Sequence, residues 1–307
     1  MKYRRLGETD LRVSVVGIGT WQLGGEWGKT FEQAEVDAML AKAAELGINL
    51  IDTAECYGDH LSEELIGRAI KGQRDKWIIA TKFGHGFKES FDRDVLFEPQ
   101  HVQEQLEKSL KALQTDFIDL YQFHSGTDKM FDTQGLWEML QKQVESGKVH
   151  HLGISVSKTH GSLYQVDKAS EVGAEAIQVV YNRIDRKPEE QMFDSCIRQD
   201  LGVLARVPLA SGFLSGKYNK DAKFVDTDVR SVWQDEDEKR QIVEDIEKLK
   251  SEVPEGVPMA QWALAWCLQH PAVTCVIPGC KTVEQVESNA KAVDLEMVED
   301  NHPQATP

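Results

Sequence analysis

Four residues whose types suit proton transfer fall at the ends of apolar runs. Asp52 and Tyr57 stand in INLIDTAECYG (48–58), Lys82 in WIIATKFG (77–84) and His124 in DLYQFHSG (119–126). A phenol is a useful proton donor at neutral pH when its pKa falls from about 10. A neighbouring ammonium stabilises the phenolate, and a carboxylate anchors the ammonium. Tyr57, Lys82 and Asp52 supply those three parts, and His124 adds a donor that could orient a substrate carbonyl. Singly, each has an ordinary use: Asp52 as a helix cap, Lys82 on a surface, His124 in a satisfied core position. Together, past three successive apolar runs, they mark an active site.

Apolar, β-branched runs bounded by turn residues read as buried strands. Polar residues just beyond several such strands gather on one face of a parallel barrel. The pattern predicts strands over 15–19, 48–52, 77–82, 117–123, 149–155, 176–181, 202–206 and 274–278. Helices are expected over 31–46, 61–71, 99–114, 133–146, 162–172, 189–200, 258–270 and 282–292, with Gly47, Gly72, Gly147 and Gly173 as stop signals. Eight strands, each followed by helix or loop, predict a (β/α)8 TIM barrel; an open doubly wound sheet usually has fewer. Residues 1–14 read as a hairpin around Gly7 at the barrel floor. After strand seven, the polar segment 207–240 is long enough to read as a lid. It ends in the charge run 235–240, whose plainer reading is a solvated helix start. The expectation is one domain over 1–307, with a loosely ordered acidic tail from about 293.

A chain of 307 residues with 41% hydrophobic content can bury a barrel core, and its net charge of −16 excludes nucleic acid as a partner. Any anionic cofactor must then be held by a few local Lys and Arg side chains. The five cysteines are scattered with no CxxC, which indicates neither disulfides nor a zinc site, and no metal is expected. His150 and His151 read as a strand start without a third ligand. No stretch has membrane-spanning length and no signal-peptide run follows Met1, so a cytoplasmic monomer or weak homo-oligomer is expected.

Beyond the four residues, the chain resembles the aldo-keto reductases from Arg5 to Asn289. The matching blocks are GIGTW (17–21), DTAECYG (52–58), ATK (80–82), His124, GIS (153–155), QVVYN (178–182), PLASGFLSGK (208–217) and IPG (277–279). The resemblance implies a TIM barrel, NADPH/NADP+ bound without a Rossmann domain, and reversible reduction of aldehydes and ketones to alcohols. It makes Tyr57 the general acid, with Lys82 and Asp52 tuning it and His124 positioning the carbonyl. Hydride would pass from the nicotinamide to the carbonyl carbon as Tyr57 protonates the oxygen. Trp21, Tyr57, His124 and Phe83 are the substrate candidates, with Trp27, Phe87 and Trp233 as further aromatic residues on strand-end loops.

Gly17 and Gly19 mimic a dinucleotide fingerprint, but Gln22 stands where its third glycine belongs and no helix follows at once. The resemblance instead assigns the cofactor to Gly19, Thr20, Trp21 and Asp52, with Ser155 and Gln178 at the nicotinamide amide. After Arg206, the segment with Val207, Pro208, Leu209, Ser211 and Gly212 would fold over the pyrophosphate, near Lys217 and Arg230. Gly279, Cys280, Lys281, Gln285 and Asn289 match the adenosine 2′-phosphate site, where a Lys beside a helix start makes a sound anion site. Two positions depart from the family pattern: Val156 replaces its usual Asn, and Arg206-Val207 replaces an aromatic-Ser pair. Arg206 could stack on the nicotinamide through its guanidinium plane or turn away and pair with a carboxylate. Two other functions fit the same residues: a Schiff-base aldolase using Lys82, and a non-catalytic NADPH-binding regulatory subunit.

Overall fold

The computed structural model describes residues 1–306 apart from 90, 159–162, 220, 234 and 235, and apart from the side chains of Trp233, Glu236 and Glu238. Parallel strands form on the β-branched runs: Ile18–Gly19, Leu50–Asp52, Ile78–Phe83, Ile118–His124, Val149–Ser155, Ala174–Val180, Gly202–Arg206 and Cys275–Val276. They are hydrogen-bonded neighbours in chain order. The cylinder closes where Gly17 N donates to Val276 O at 2.8 Å and Gly19 N donates to Pro278 O at 3.0 Å. Closure needs a glycine there, since a Cβ on Gly19 would lie 2.6 Å from Ile277 O. The protein is a (β/α)8 barrel.

The interior of the cylinder is filled by Leu50, Ala80, Leu120, Ala176, Leu204 and Cys275, plugged from below by Leu6 and Val13 of the N-terminal hairpin Tyr3–Arg5/Arg12–Ser14. A larger apolar layer lies between the strands and helices such as Gln33–Glu45, Pro99–Leu113 and Met259–Leu268. Each fully buried Leu or Ile contributes roughly 1.5–3 kcal/mol. Register then fixes the mouth: Asp52 lies opposite Ala80, Lys82 opposite Gln122 and His124 opposite Ser155.

Three features differ from expectation. The tail from about 293 is docked: Ala305–Thr306 pairs antiparallel with Tyr3 and Arg4, and Val298 is buried. Thr274 Oγ1 also donates to Gln304 Oε1 at 2.6 Å. The exposed edge of the N-terminal hairpin takes this strand as its partner, a requirement that tail composition does not reveal. A second hairpin, His85–Glu89/Asp92–Val95, rises after the third barrel strand, where no strand was expected. The segment after strand seven is partly helical, with a 3-10 turn at Ala210–Ser215 and helices at Arg230–Trp233 and Glu236–Leu249. Val243, Ile246 and Leu249 of the last helix pack on Phe213, Leu214 and Trp262, so only one face of it is solvated. Of the charge run, Asp235 lies outside the described residues.

Candidate active site

The strand ends bring Asp52, Tyr57, Lys82 and His124 together. Lys82 Nζ is fully buried and donates to Asp52 Oδ2 at 2.8 Å, Thr53 O at 2.6 Å and Tyr57 Oη at 3.4 Å. The second carboxylate oxygen, Asp52 Oδ1, accepts from Gln178 Nε2 at 2.6 Å and Gln122 Nε2 at 3.2 Å. Ser155 Oγ donates to Gln178 Oε1 at 3.3 Å, and Thr20 Oγ1 to Asp52 O at 2.9 Å. The expected fall in the Tyr57 pKa is not found. Burial pushes the phenol well above its ordinary value, and Asp52 adds to the effect. The ammonium that was to offset this is neutralised by Asp52, so Tyr57 stands fully protonated.

His124 meets Tyr57 edge-on, ring centroids 6.1 Å apart, and Trp21 stacks on the phenol at 5.7 Å with planes 14° apart. Burial takes His124 down to about 4 although Glu55 opposes this, so the imidazole is neutral near pH 7. Its Nδ1 lies 3.7 Å from Glu55 Oε2 and 3.8 Å from Cys56 Sγ. Burial works against the Glu55 carboxylate, but His124 and the His85 N–H hold it ionised. Trp21 is fixed from behind: its Nε1 donates to Glu26 Oε2 at 2.9 Å. The same carboxylate takes Arg93 Nη2 at 2.6 Å and Phe91 N at 2.9 Å from the second hairpin.

Phe83 does not join this group. It is fully buried among Phe97, Tyr121 and Phe123 in the outer core. Successive strand residues face opposite ways, so with Lys82 turned into the barrel Phe83 must point toward the helices. Trp27 lies edge-on to Trp21 at 5.4 Å, and Phe87 on the second hairpin faces the Arg93 guanidinium. The Trp233 side chain lies outside the described residues.

The other residues expected to hold a cofactor form two groups. After strand seven, Val207, Ala210 and Ser211 adopt φ of 55°, 47° and 57°, followed by Gly212 at 92° and flanked by buried Pro208 and half-buried Leu209. A β-branched residue in the left-handed region is an outlier costing on the order of 1–3 kcal/mol, which persists where the surroundings enforce it. Here Asn182 Nδ2 and Ala210 N both donate to Val207 O. Arg206 Nη2 donates to Val156 O at 3.1 Å, while its buried Nε meets no acceptor among the described residues.

In the second group, Lys281 Nζ donates to Trp27 O, and Lys29 Nζ donates to Lys281 O at 3.2 Å. Arg230 donates to Asp228 Oδ1 at 2.9 Å and Oδ2 at 2.7 Å and stacks on Phe224. Burial, with Arg230 nearby, lowers the Lys281 pKa. Gln285 Oε1 accepts from Lys281 N at 2.7 Å, and buried Asn289 donates to Cys280 Sγ at 3.3 Å beside Gly279. Backbone bonds from Gly28 N to Thr227 O at 3.1 Å and from Val229 N to Glu26 O at 2.8 Å tie the segment after strand seven to the loop after strand one. Lys217 is exposed. Sequence reading gave no role to Glu26, Lys29, Glu55, Gln122 or Asp228. Glu55 had a signal, as an acidic residue in an otherwise apolar stretch between Asp52 and Tyr57; Glu26 and Lys29 had none.

A closed (β/α)8 cylinder carrying its polar cluster on the strand-end face defines a TIM-barrel protein of the enzyme type. The particular family follows: the profile described as Aldo/keto reductase family matches residues 15–306, and the chain belongs to it, an oxidoreductase family. It is similar to Aldo-keto reductase YhdN of Bacillus subtilis (strain 168), 32% identical over 304 residues, covering 94% of this chain and 87% of that protein. It is 31% identical over 299 residues to Schizosaccharomyces pombe aldo-keto reductase yakc, whose name specifies NADP(+), with 93% and 85% covered. Among solved structures, aldo-keto reductase AKR11C1 from Bacillus halodurans in its holo form superposes with a TM-score of 0.80 at 29% identity, covering 96% of this chain and 91% of that one.

Proposed function

We propose that the protein is an NADPH-dependent reductase of aldehydes and ketones, working reversibly, with Tyr57 as the general acid. The observation carrying this reading is the Tyr57 hydroxyl, 3.4 Å from an ammonium anchored on Asp52 and bordered by the Trp21 and His124 rings. The residues around the mouth fit an anionic dinucleotide: in a chain of net charge −16, Lys29, Arg230 and Lys281 cluster beside the strained 207–212 loop. Ser155 and Gln178 would meet the nicotinamide amide, Arg206 the nicotinamide ring, Val207 to Gly212 the pyrophosphate, and Lys281, Gln285 and Asn289 the 2′-phosphate. NADPH, when bound, supplies the hydride. Neutral His124 directs a carbonyl oxygen toward Tyr57, whose raised pKa keeps its proton on oxygen until charge develops on the substrate. Lys82 then stabilises the phenolate at the moment of transfer, and Asp52 holds Lys82 in place.

A Schiff-base role for Lys82 is not favoured, because its Nζ is engaged by Asp52, Thr53 O and Tyr57; a nucleophilic lysine must be neutral. A purely regulatory role is not favoured either, since the complete proton-transfer group is assembled. Five free buried cysteines suit a cytoplasmic, reducing setting. The test follows NADPH absorbance with a panel of aldehydes and ketones, using unaltered protein and Tyr57→Phe. The variant should lose on the order of 10²- to 10⁴-fold in turnover while binding NADPH normally. Equal turnover by the two proteins would remove Tyr57 from the role.

A further inference from the structure

Beside Tyr57, a buried negative charge is left without a full complement of partners. Glu55 is 2% exposed; its Oε1 accepts from His85 N at 2.9 Å, while Oε2 receives no hydrogen bond among the described residues and has His124 Nδ1 standing off at 3.7 Å. Buried carboxylates are normally saturated with donors or paired with a cation. The neighbouring cations are engaged elsewhere, Lys82 with Asp52 and Arg93 with Glu26, although Arg93 also reaches the Cys56 thiol. Cys56 Sγ, His124 Nδ1 and a Glu55 oxygen all lie within 4.8 Å of one another. A second buried atom without a partner among the described residues, His85 Nδ1, borders the group, its ring 5.1 Å from that of His124.

We propose that Glu55, Cys56 and His124 form a three-residue binding site for a thiophilic divalent cation, best matched by Zn2+, with a water as the fourth ligand. Zn–S bonds near 2.3 Å and Zn–N and Zn–O bonds near 2.0–2.1 Å in a tetrahedron set ligand atoms roughly 3.3–3.6 Å apart. The observed Nδ1 separations of 3.7 and 3.8 Å need only a few tenths of an ångström of contraction. On binding, the S–H bond of Cys56 breaks, its proton leaves to solvent and a Zn–S bond forms, with no change of oxidation state. Thiolate and carboxylate together carry two negative charges and match the ion, so the occupied site is electrically neutral in a low-dielectric place. The Nδ1 lone pair of His124 becomes a ligand, with the ring's single proton carried on Nε2 in the bound state. No cysteine spacing announces the site, because its ligands come from the loop after strand two and the end of strand four. Occupancy would draw His124 off its position against Tyr57 and slow carbonyl reduction; that consequence rests on the function proposed above, whereas the site itself does not.

Co2+ titration reads the site directly, since its absorption reports geometry and ligand type. One equivalent per chain should give the intense visible bands of a four-coordinate ion and a near-ultraviolet thiolate charge-transfer band, both erased by Zn2+. Cys56→Ser should abolish the charge-transfer band, and Glu55→Gln should weaken binding about tenfold or more. Zinc-edge anomalous diffraction from unaltered crystals soaked in Zn2+ supplies a measurement independent of variant folding, with a peak expected between the three side chains. Absence of a thiolate band, its persistence in Cys56→Ser, or an anomalous peak only elsewhere would overturn the site. These readouts decide the matter even if no carbonyl substrate is turned over.

Discussion

Gln178 Nε2 donates to Asp52 Oδ1 at 2.6 Å, a hydrogen bond that joins the sixth and second strands across the inside of the barrel. With Oδ2 given to Lys82, both carboxylate oxygens are committed. Asp52→Asn removes the counter-charge of a fully buried ammonium and presents an N–H₂ donor to groups that are themselves donors. The expected loss is about 3–5 kcal/mol of stability, as for breaking a buried ion pair. Urea unfolding checks it, and an unchanged midpoint would mean that Lys82 is compensated by another group.

Discrimination between NADPH and NADH is expected to centre on Lys281. Lysine 281→Ala should weaken NADPH binding by about 1–2 kcal/mol, the worth of one charge-assisted contact, and NADH binding far less. Lys29, which donates to Lys281 O at 3.2 Å and pairs with Glu35, is the natural sharer of the role. Adding Lys29→Ala should remove most of the remaining preference. Equal losses for both cofactors in fluorescence titrations would exclude Lys281 as the phosphate reader.

Arg206 bears on which form of the cofactor is held. Its guanidinium stands close enough to Tyr57 and Asp52 for both to act on it electrostatically. A nicotinamide ring is neutral when reduced and positive when oxidised, and like charges 4 Å apart repel by about 1 kcal/mol even in water. Arg206→Tyr should therefore raise NADP+ affinity relative to NADPH. Calorimetric titration of both forms tests this, and an unaltered affinity ratio refutes it.

The docked tail predicts a pH dependence of stability. His302 is buried, its Nδ1 accepts from Gln304 N at 3.1 Å, and burial followed by Arg4 takes its pKa from 6.5 down to about 4. His270 acts both ways, its ring disfavouring a charge on His302 while its backbone carbonyl and that of Pro271 favour one, and burial with Arg4 outweighs them. The folded chain thus keeps His302 neutral where the unfolded chain would protonate it. This stabilisation is complete above pH 6.5 and is lost as pH falls toward about 4, by on the order of 2–3 kcal/mol. His302→Gln should flatten the decline between those pH values in thermal melts. A decline identical to the unaltered protein would assign it to other groups.

Much of the barrel was legible because its strands are apolar runs of the right length, each stopped by a polar residue with chemistry to offer. Asp52, Lys82 and His124 could be aligned for that reason, and the alternation that turns Lys82 inward would also have turned Phe83 outward had it been applied. The hairpin at 85–95 was not legible. Its strands, HGFKE and DRDV, lack an apolar alternation and are held instead by long-range bonds such as Arg93 to Glu26. The height of the Tyr57 pKa was equally out of reach, since it depends on burial and on Asp52 cancelling the nearby ammonium. Neither is a property of spacing.

The pairing of Ala305–Thr306 with Tyr3–Arg4 has a consequence for biosynthesis. The hairpin is translated before the barrel and waits, with one edge unpaired, for a strand translated after it. On the ribosome the outer edge of the floor hairpin must therefore persist unpaired, open to stray strand pairing. Rejoining the chain near residue 305 to residue 3 and opening it at an exposed loop would let the floor form first, and should shorten that vulnerable interval.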